Sequence, residues 1–583
     1  LVGLCLALFL PGLFSLPPFD RDEARYAQAS RQMLESGDFV DIRFQGEARH
    51  KKPVGIYWLQ AGAVAVVTAI SDTAANEIWP YRLPSVLGAM AAVLLTAWTG
   101  TALFGRGAAF LGAVMLAGCV VLGVEARMAK TDAVLLATII AAQGALARLY
   151  LERARPLSNL ARAGRPLPGG DGAGGGDGDG AGPGRLEAWM ADWAWPLVFW
   201  VATGLAVLIK GPVGPLVSVT TVVALIAVDR EARWLLRLRP MVGLMIVAAI
   251  VAPWLVAITL KSHGGFYAES VGHDWLGKVF TGQEGKGLPP GYYVASFWLT
   301  FAPFAGFALL AVPWVWHHRR EPAVRFCLAW IIPTWIVFEL IRTKLLHYTL
   351  PTFPAIALLT AQATMDRFGW ANDDDRRERD VGGVRGAGRR LVALAAVLGV
   401  VVAIALPVGL AVIAALVDQR FLGLAVIVGA IAGALTAAAY QRLRASPVVA
   451  SGRVLAAMAV VYGLCYPFAL PAIDGIWVSR SVAAAVAAHE RCPDTPVAAA
   501  GYSEPSLVFL LGTATKLGDG GAAAGHLIQH PACGLAVVER RHEADFVAAL
   551  GGRATEVLAT VTGFNYSNGK PVMITLHRLA TAP

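Results

Sequence analysis

Two short polar runs carry most of the chemistry this chain could perform. One is Phe19–Asp38 (F-D-R-D-E-A-R-Y-A-Q-A-S-R-Q-M-L-E-S-G-D), and the other is His50–Trp58 (H-K-K-P-V-G-I-Y-W). In the first, helical spacing puts Asp22, Arg25 and Tyr26 on one face, with Glu23 beside them. Taken alone it reads as a capped, salt-bridged surface helix with Asp22 near its N-terminus. The second, with Lys51, Lys52, Tyr57 and Trp58, reads alone as an anchor at a membrane boundary. Further charge gathers at the ends of apolar runs: Glu125, Arg127, Lys130 and Asp132; Lys210; Glu339, Arg342, Lys344 and His347. Together the clusters point to more than surface charge. A carboxylate, fixed cations and a neighbouring apolar groove are what glycosyl transfer from a lipid phosphate requires. The carboxylate takes a proton from the acceptor and the cations stabilise the departing phosphate.

The elements that must position these groups are membrane helices. Of 583 residues, 56% are hydrophobic and only 15% charged, with a mean hydropathy of +0.57; soluble domains carry about a quarter charged residues. Most of the surface must therefore face lipid. The net charge of +9 comes from basic residues in short loops between apolar runs, without the basic stripe and interleaved aromatics of a nucleic-acid binder. No nucleic-acid partner is expected. Apolar stretches of spanning length fall at 1–17, 82–104, 108–124, 132–149, 194–210, 212–228, 240–260, 294–316, 324–341, 347–365, 391–417, 421–439 and 454–473. No A-x-A cleavage site follows the first, which is read as a span.

The stretch Val54–Ile70 decides the topology. If it does not cross, the arginine clusters around 148–155, 230–239, 319–320, 376–390 and 442–444 share one side, the cytoplasm by the positive-inside rule. It is therefore read as a helix lying at the interface. Residues 18–81, 125–131, 261–293, 342–346 and 474–583 are then extracytoplasmic. The first of these loops runs against the rule, with Arg21, Arg25, Arg31, Arg43, Arg49, Lys51 and Lys52: either the rule fails here or those charges have a job. Residues 150–193 form a flexible cytoplasmic loop containing the low-complexity run Arg165–Gly184, and Asn372–Arg390 is a second charged loop.

The expected fold is an all-α polytopic membrane protein of about 13 spans (1–473) with a small α/β extracytoplasmic domain (474–583). In the tail, the apolar runs Pro496–Ala500, Gly534–Glu539 and Pro571–His577 alternate with candidate helices such as Glu543–Leu550. Cys492 and Cys533 both lie there, and a disulfide between them is open if the tail is extracytoplasmic. Cys5, Cys119, Cys327 and Cys465 read as small core residues. The span interiors hold almost no carboxylates, which disfavours an ion-coupled transporter.

The order D-E-A-R-Y-A, M-L-E-S-G-D, K-P-x-x-x-Y-W, A-R-M-A-K-T-D, K-G-P-V-G, P-W and T-K-L-L-H-Y-T-L-P-T-F-P, covering most of residues 1–366, resembles the GT-C class of polyprenyl-phosphate-sugar glycosyltransferases. The branch with bacterial aminoarabinose (lipid A) transferases is nearest, and protein O-mannosyltransferases are more distant. The resemblance implies a catalytic carboxylate at Asp22 with Glu23 beside it, and Asp132 in support with Glu125 as its alternative. It implies Lys52 on the carrier phosphate, Arg25, Tyr26 and Tyr57 around it, and Lys210, Lys344 and His347 as phosphate or sugar contacts. It also implies an inner-membrane enzyme with its site facing the periplasm. The donor would be an undecaprenyl-phosphate-linked sugar and the acceptor lipid A, another glycolipid or a protein. Relatives of the aminoarabinose branch carry an acid just before the loop lysine, where this chain has Lys51. A divalent metal is therefore not expected to be required, although His273 and Asp274 could contribute to one. A lipid-linked substrate transporter or flippase is the rival reading from another class.

Overall fold

The computed structural model describes residues 1–71, 75–153, 185–270, 287–368, 393–402, 422–442, 446–493 and 495–580, with a few isolated positions between them. The low-complexity run, the Asn372–Arg390 loop, His273 and Asp274 lie outside the described residues. Six described helices are long and apolar enough to cross a membrane. They are Trp79–Leu103, Asp132–Glu152, Asp192–Lys210, Pro240–Ser262, Pro322–Leu340 and Val449–Ala469. The coarse expectation of a helical membrane protein holds; the count of thirteen is not reached on these criteria.

Two of the expected spans are broken instead. The stretch 108–124 divides into Arg106–Gly118 and Val120–Glu125, with Cys119 extended between them. The stretch 294–316 divides into Tyr292–Thr300 and Ala305–His318, bent by 119°. Pro303 sits in that break, where it lacks the N–H a continuous helix would use. The breaks meet, since the Val120 N–H donates to the Ala302 carbonyl at 3.0 Å. Backbone groups freed inside a bilayer must find such partners, and each interruption supplies one to the other. Gly55–Thr68 has 14 residues, about 21 Å at helical rise, too short for a roughly 30 Å hydrocarbon core.

The site-bearing loop has its own scaffold. Helix α1 (Asp22–Ser36) starts with Asp22 and Glu23 in its first turn, where the helix dipole favours acids. A two-residue hairpin, β1 (Arg43–Phe44) and β2 (Glu47–Ala48), then leads to α2 (Gly55–Thr68). Tyr26, Met33, Ile42, Val54, Tyr57 and Trp254 form one buried cluster beneath these elements. Gly55 lets α2 press onto the helix ending at Lys210, since a Cβ there would lie 2.7 Å from the Leu208 carbonyl oxygen.

The C-terminal sheet has five strands in the order β4-β3-β5-β7-β6. Here β3 is Val497–Ala500, β4 Lys516–Gly518, β5 Leu535–Glu539, β6 Thr555–Asn565 and β7 Lys570–Leu579. Parallel β4 and β5 flank β3, and the β6–β7 hairpin adds antiparallel strands beside β5. The wholly buried β3 and β5 were legible as apolar runs, and Glu543–Ala549 is helical as expected. Cys492 and Cys533 are joined in a disulfide.

Candidate active site

The face predicted on α1 is real. Asp22, Arg25 and Tyr26 line a cavity of about 310 Å³, which Arg49, Lys51 and Lys52 reach from the segment between β2 and α2. Lys130 and Asp132 enter from the turn before helix Asp132–Glu152, Lys210 from the end of its helix, and His347 from the turn after Pro322–Leu340. The remaining wall is apolar and includes Leu136, Val207, Leu255, Phe266, Phe338 and Ile341. Lys210 is delivered by a local stop signal. It closes its helix, Gly211 takes φ +62°, and Pro212 leads into the next helix.

The cations inside are set by specific partners. Lys210 Nζ lies 2.5 Å from Asp132 Oδ1, and Lys130 Nζ lies 3.2 Å from Glu125 Oε1 and 4.0 Å from Asp132 Oδ2. His347 bridges the two acids, with Nδ1 3.4 Å from Glu125 and Nε2 3.5 Å from Asp132. Glu125, Asp132 and His347 could each offer a ligand atom within 4.8 Å of the others. The two ammonium groups already sit on those carboxylates, however, where they would repel a divalent ion. The donor set is therefore a poor fit to a metal.

Asp22 is exposed, on the side that opens onto the cavity. Desolvation pushes its carboxyl up, yet Lys130, Arg49, His347 and Arg25 more than reverse this and hold it below the usual carboxylate range. Arg49 lies 4.7 Å over the Tyr26 ring and donates to the Tyr57 hydroxyl at 2.6 Å. Tyr57 thus stands behind the lining and braces Arg49.

Besides Tyr57, two predicted residues lie outside the lining. Glu23 points about 100° around the helix from Asp22 and is fully buried against Arg82, with bidentate contacts of 2.8 and 2.9 Å. Its oxygens also accept the Phe19 and Ala129 N–H groups at 2.8 Å, while Arg82 donates to the carbonyls of Leu13, Leu16 and Pro17. Glu23 thus ties the end of the first apolar segment to helix Trp79–Leu103 instead of facing substrate. Lys344 is outside the lining as well. Its ammonium donates to the Phe338 carbonyl at 3.0 Å and the Glu339 carbonyl at 2.5 Å, capping the end of its helix.

Glu23→Ala is expected to leave Arg82 buried and unpaired, a cost of about 3–5 kcal/mol. In a detergent thermal-unfolding assay it should lower the midpoint sharply, and Asp22→Asn should not. Equal midpoints for Glu23→Ala and the parent would refute this role.

Sequence reasoning assigned no role to Arg49 or Lys130, though both stood among the charges it noted. Tyr267, Ser270 and Tyr348 also line the cavity; no local pattern marked the first two, and Tyr348 stood inside a quoted motif without a role. The basic first loop is now explained. Arg25, Arg49, Lys51 and Lys52 face the cavity; Arg31 pairs with Glu35, Arg43 with Asp41, and Arg21 with the Ser567 carbonyl.

The fold and this lining define a polytopic helical membrane protein with a charged cavity at the ends of its helices. The comparisons narrow the class. The family described as Dolichyl-phosphate-mannose-protein mannosyltransferase matches residues 4–164. The chain is 27% identical over 369 residues to the undecaprenyl phosphate-alpha-4-amino-4-deoxy-L-arabinose arabinosyl transferase of Aeromonas salmonicida, covering 62% of this chain and 58% of that one. A Pseudomonas aeruginosa protein of the same description is 27% identical over 405 residues, covering 67% and 64%. The matched part thus spans less than two thirds of these relatives' length. The crystal structure of ArnT from Cupriavidus metallidurans bound to undecaprenyl phosphate superposes with a TM-score of 0.72 at 17% identity, over 99% of this chain and 97% of that one. The chain shares that fold, and its resemblance to GT-C aminoarabinose transferases is upheld.

Proposed function

We propose that this chain is an inverting glycosyltransferase that moves a sugar from undecaprenyl phosphate, or a related polyprenyl phosphate, to an extracytoplasmic acceptor, with aminoarabinose or a related sugar and lipid A as the leading pair. One observation carries the reading: the Asp22 carboxylate and the Lys52 ammonium, from separate segments, line the same half-apolar cavity. The apolar wall suits the first isoprene units, and Lys52, Lys51, Arg49 and Arg25 suit the phosphate. Asp22 orients the acceptor. As the acceptor oxygen bonds to the anomeric carbon, the carbon–oxygen bond to phosphate breaks and the carrier leaves with the electron pair. A hydroxyl acceptor gives its proton to Asp22; a phosphate acceptor needs only to be held. A single displacement inverts the anomeric centre. Tyr26 supports the phosphate side, and Asp132, held by Lys210 and His347, supports the acceptor side.

The thirteen apolar stretches, several on shorter or broken helices, complete the bundle of residues 1–473 in this reading. The site and the region 474–583 face the periplasm, which also accommodates the disulfide. The relatives named for transfer of undecaprenyl phosphate-linked aminoarabinose support the donor, as does the fold shared with a structure that holds undecaprenyl phosphate.

The test is mass spectrometry of lipid A and envelope glycoconjugates from cells with and without the gene. A sugar lost from lipid A, with its carrier-linked form accumulating, is the expected result. Unchanged glycoconjugates, with carrier-linked sugar trapped on one side of the membrane, would indicate a flippase instead.

A further inference from the structure

The C-terminal sheet grips the back of the helix that presents Asp22. On the face of α1 turned from the cavity, Gln28 donates to the Thr513 hydroxyl and that hydroxyl donates to Glu35, both at 2.7 Å. Arg31 donates to the Phe509 carbonyl at 3.2 Å. The entry to the helix is held more closely. The Asp20 N–H donates to the Tyr566 hydroxyl at 2.7 Å, the Ser506 hydroxyl donates to the Asp20 carboxylate, and the Arg21 guanidinium donates to the Ser567 carbonyl. Tyr566 and Ser567 form the turn between β6 and β7, and Ser506 lies in the first turn of helix Pro505–Leu511, which follows β3.

Arg21, immediately before Asp22, has φ +64° and ψ −106°. Residues with a side chain avoid this conformation, and it persists only where surrounding contacts impose it. Asp20 on its N-terminal side and the Arg21 side chain itself are the groups that Tyr566, Ser506 and Ser567 hold. We propose that the β6–β7 turn and Ser506 act as a positioning clamp, which imposes the strained backbone at Arg21 and thereby aims the Asp22 carboxylate into the cavity. The inference rests on the role given to Asp22 above. Tyr566, Ser506 and Arg21 are positioning residues that need not touch substrate.

The clamp is tested in the full chain by two measurements that do not depend on each other. Tyr566→Phe removes the acceptor for the Asp20 N–H, and amide exchange over residues 20–25 should speed up at least about tenfold while helix Trp79–Leu103 stays protected. With a polyprenyl-phosphate-sugar donor, kcat should fall about 10- to 100-fold with the donor KM little changed, because small misplacements of a reacting group cost that much. In an Asp22→Asn background the same change should cost almost nothing further. Arg21→Ala loses the clamp contact and still bears the strain of this backbone conformation, whereas Arg21→Gly loses the contact but adopts the same conformation without strain; glycine should therefore be the milder change, the reverse of an ordinary site. Should Tyr566→Phe express poorly, Ser506→Ala serves instead. Unchanged exchange over residues 20–25 would overturn the proposal whatever reaction the protein performs. Faster exchange with unchanged kcat would also overturn it. A parent protein with no transfer at all would sink the assigned reaction, while the exchange result would still decide the clamp.

Discussion

Asp22→Asn is expected to lower the turnover of sugar transfer by about 10²–10⁴-fold, the contribution typical of a positioned acid–base group, without loss of donor binding. The substitution is nearly isosteric, so the packing of α1 against Arg49 and Lys130 should survive. What disappears is the one described carboxylate in the lining not already bound to a lysine: Asp132, the other, is held by Lys210. Donor affinity should hold or rise, because a negative charge leaves a cavity that must take in a phosphate. The expected signature is a collapsed kcat with an unchanged or lower donor KM, measured with purified protein and a carrier-linked sugar. Because the surrounding cations hold Asp22 below the usual carboxylate range, it stays ionised as pH falls from neutral. In the parent enzyme the loss of rate due to its protonation should appear only below the range where ordinary carboxylates titrate. A loss of less than tenfold with a hydroxyl acceptor would remove Asp22 from the role of base.

Lys52→Ala is expected to act on the other partner of the reaction. A cation on a departing phosphate stabilises charge that grows in the transition state, and removing one such donor costs about 10²–10³ in rate. The same lysine would also hold the phosphate in the ground state, so donor KM should rise as kcat falls. Lys51, exposed beside it, and Arg49 keep the cavity cationic, which puts the expected loss in kcat/KM at the upper end of that range and not beyond it. Lys52→Arg keeps the charge and should recover part of the loss. Direct binding of polyprenyl phosphate, followed by quenching of tryptophan fluorescence, gives a readout independent of turnover. If Lys52→Ala binds and turns over like the parent, the carrier phosphate sits elsewhere.

Part of this site was open to reading before any fold was known. Asp22, Arg25 and Tyr26 share a helix face by spacing alone, and that face is the one the cavity uses. Lys210 could be placed because Lys-Gly-Pro is a complete local signal for a helix end. The strands β3 and β5 could be placed because burial on both faces writes a continuous apolar run into the chain. Hydropathy and the spacing of charge are local quantities, and a bilayer sorts them without reference to distant residues.

Distant residues decided the remainder. Asp22 and Glu23 are neighbours of the same chemical type, and which of them faces the cavity depends on the rotation of α1. That rotation is set by Arg82, 59 positions away, and by the C-terminal sheet behind the helix. Lys344 stands in a motif rich in polar residues, yet its ammonium turns back onto the carbonyls of its own helix end. The breaks at Cys119 and Pro303 satisfy each other's backbone across the bundle, so neither is predictable without the other. Chain composition determined that this protein lives in a membrane with its charge at the helix ends. The direction in which each charged group points was settled only by the tertiary structure, because a buried charge goes where its counter-charge and hydrogen-bond partners are, and those come from other parts of the chain.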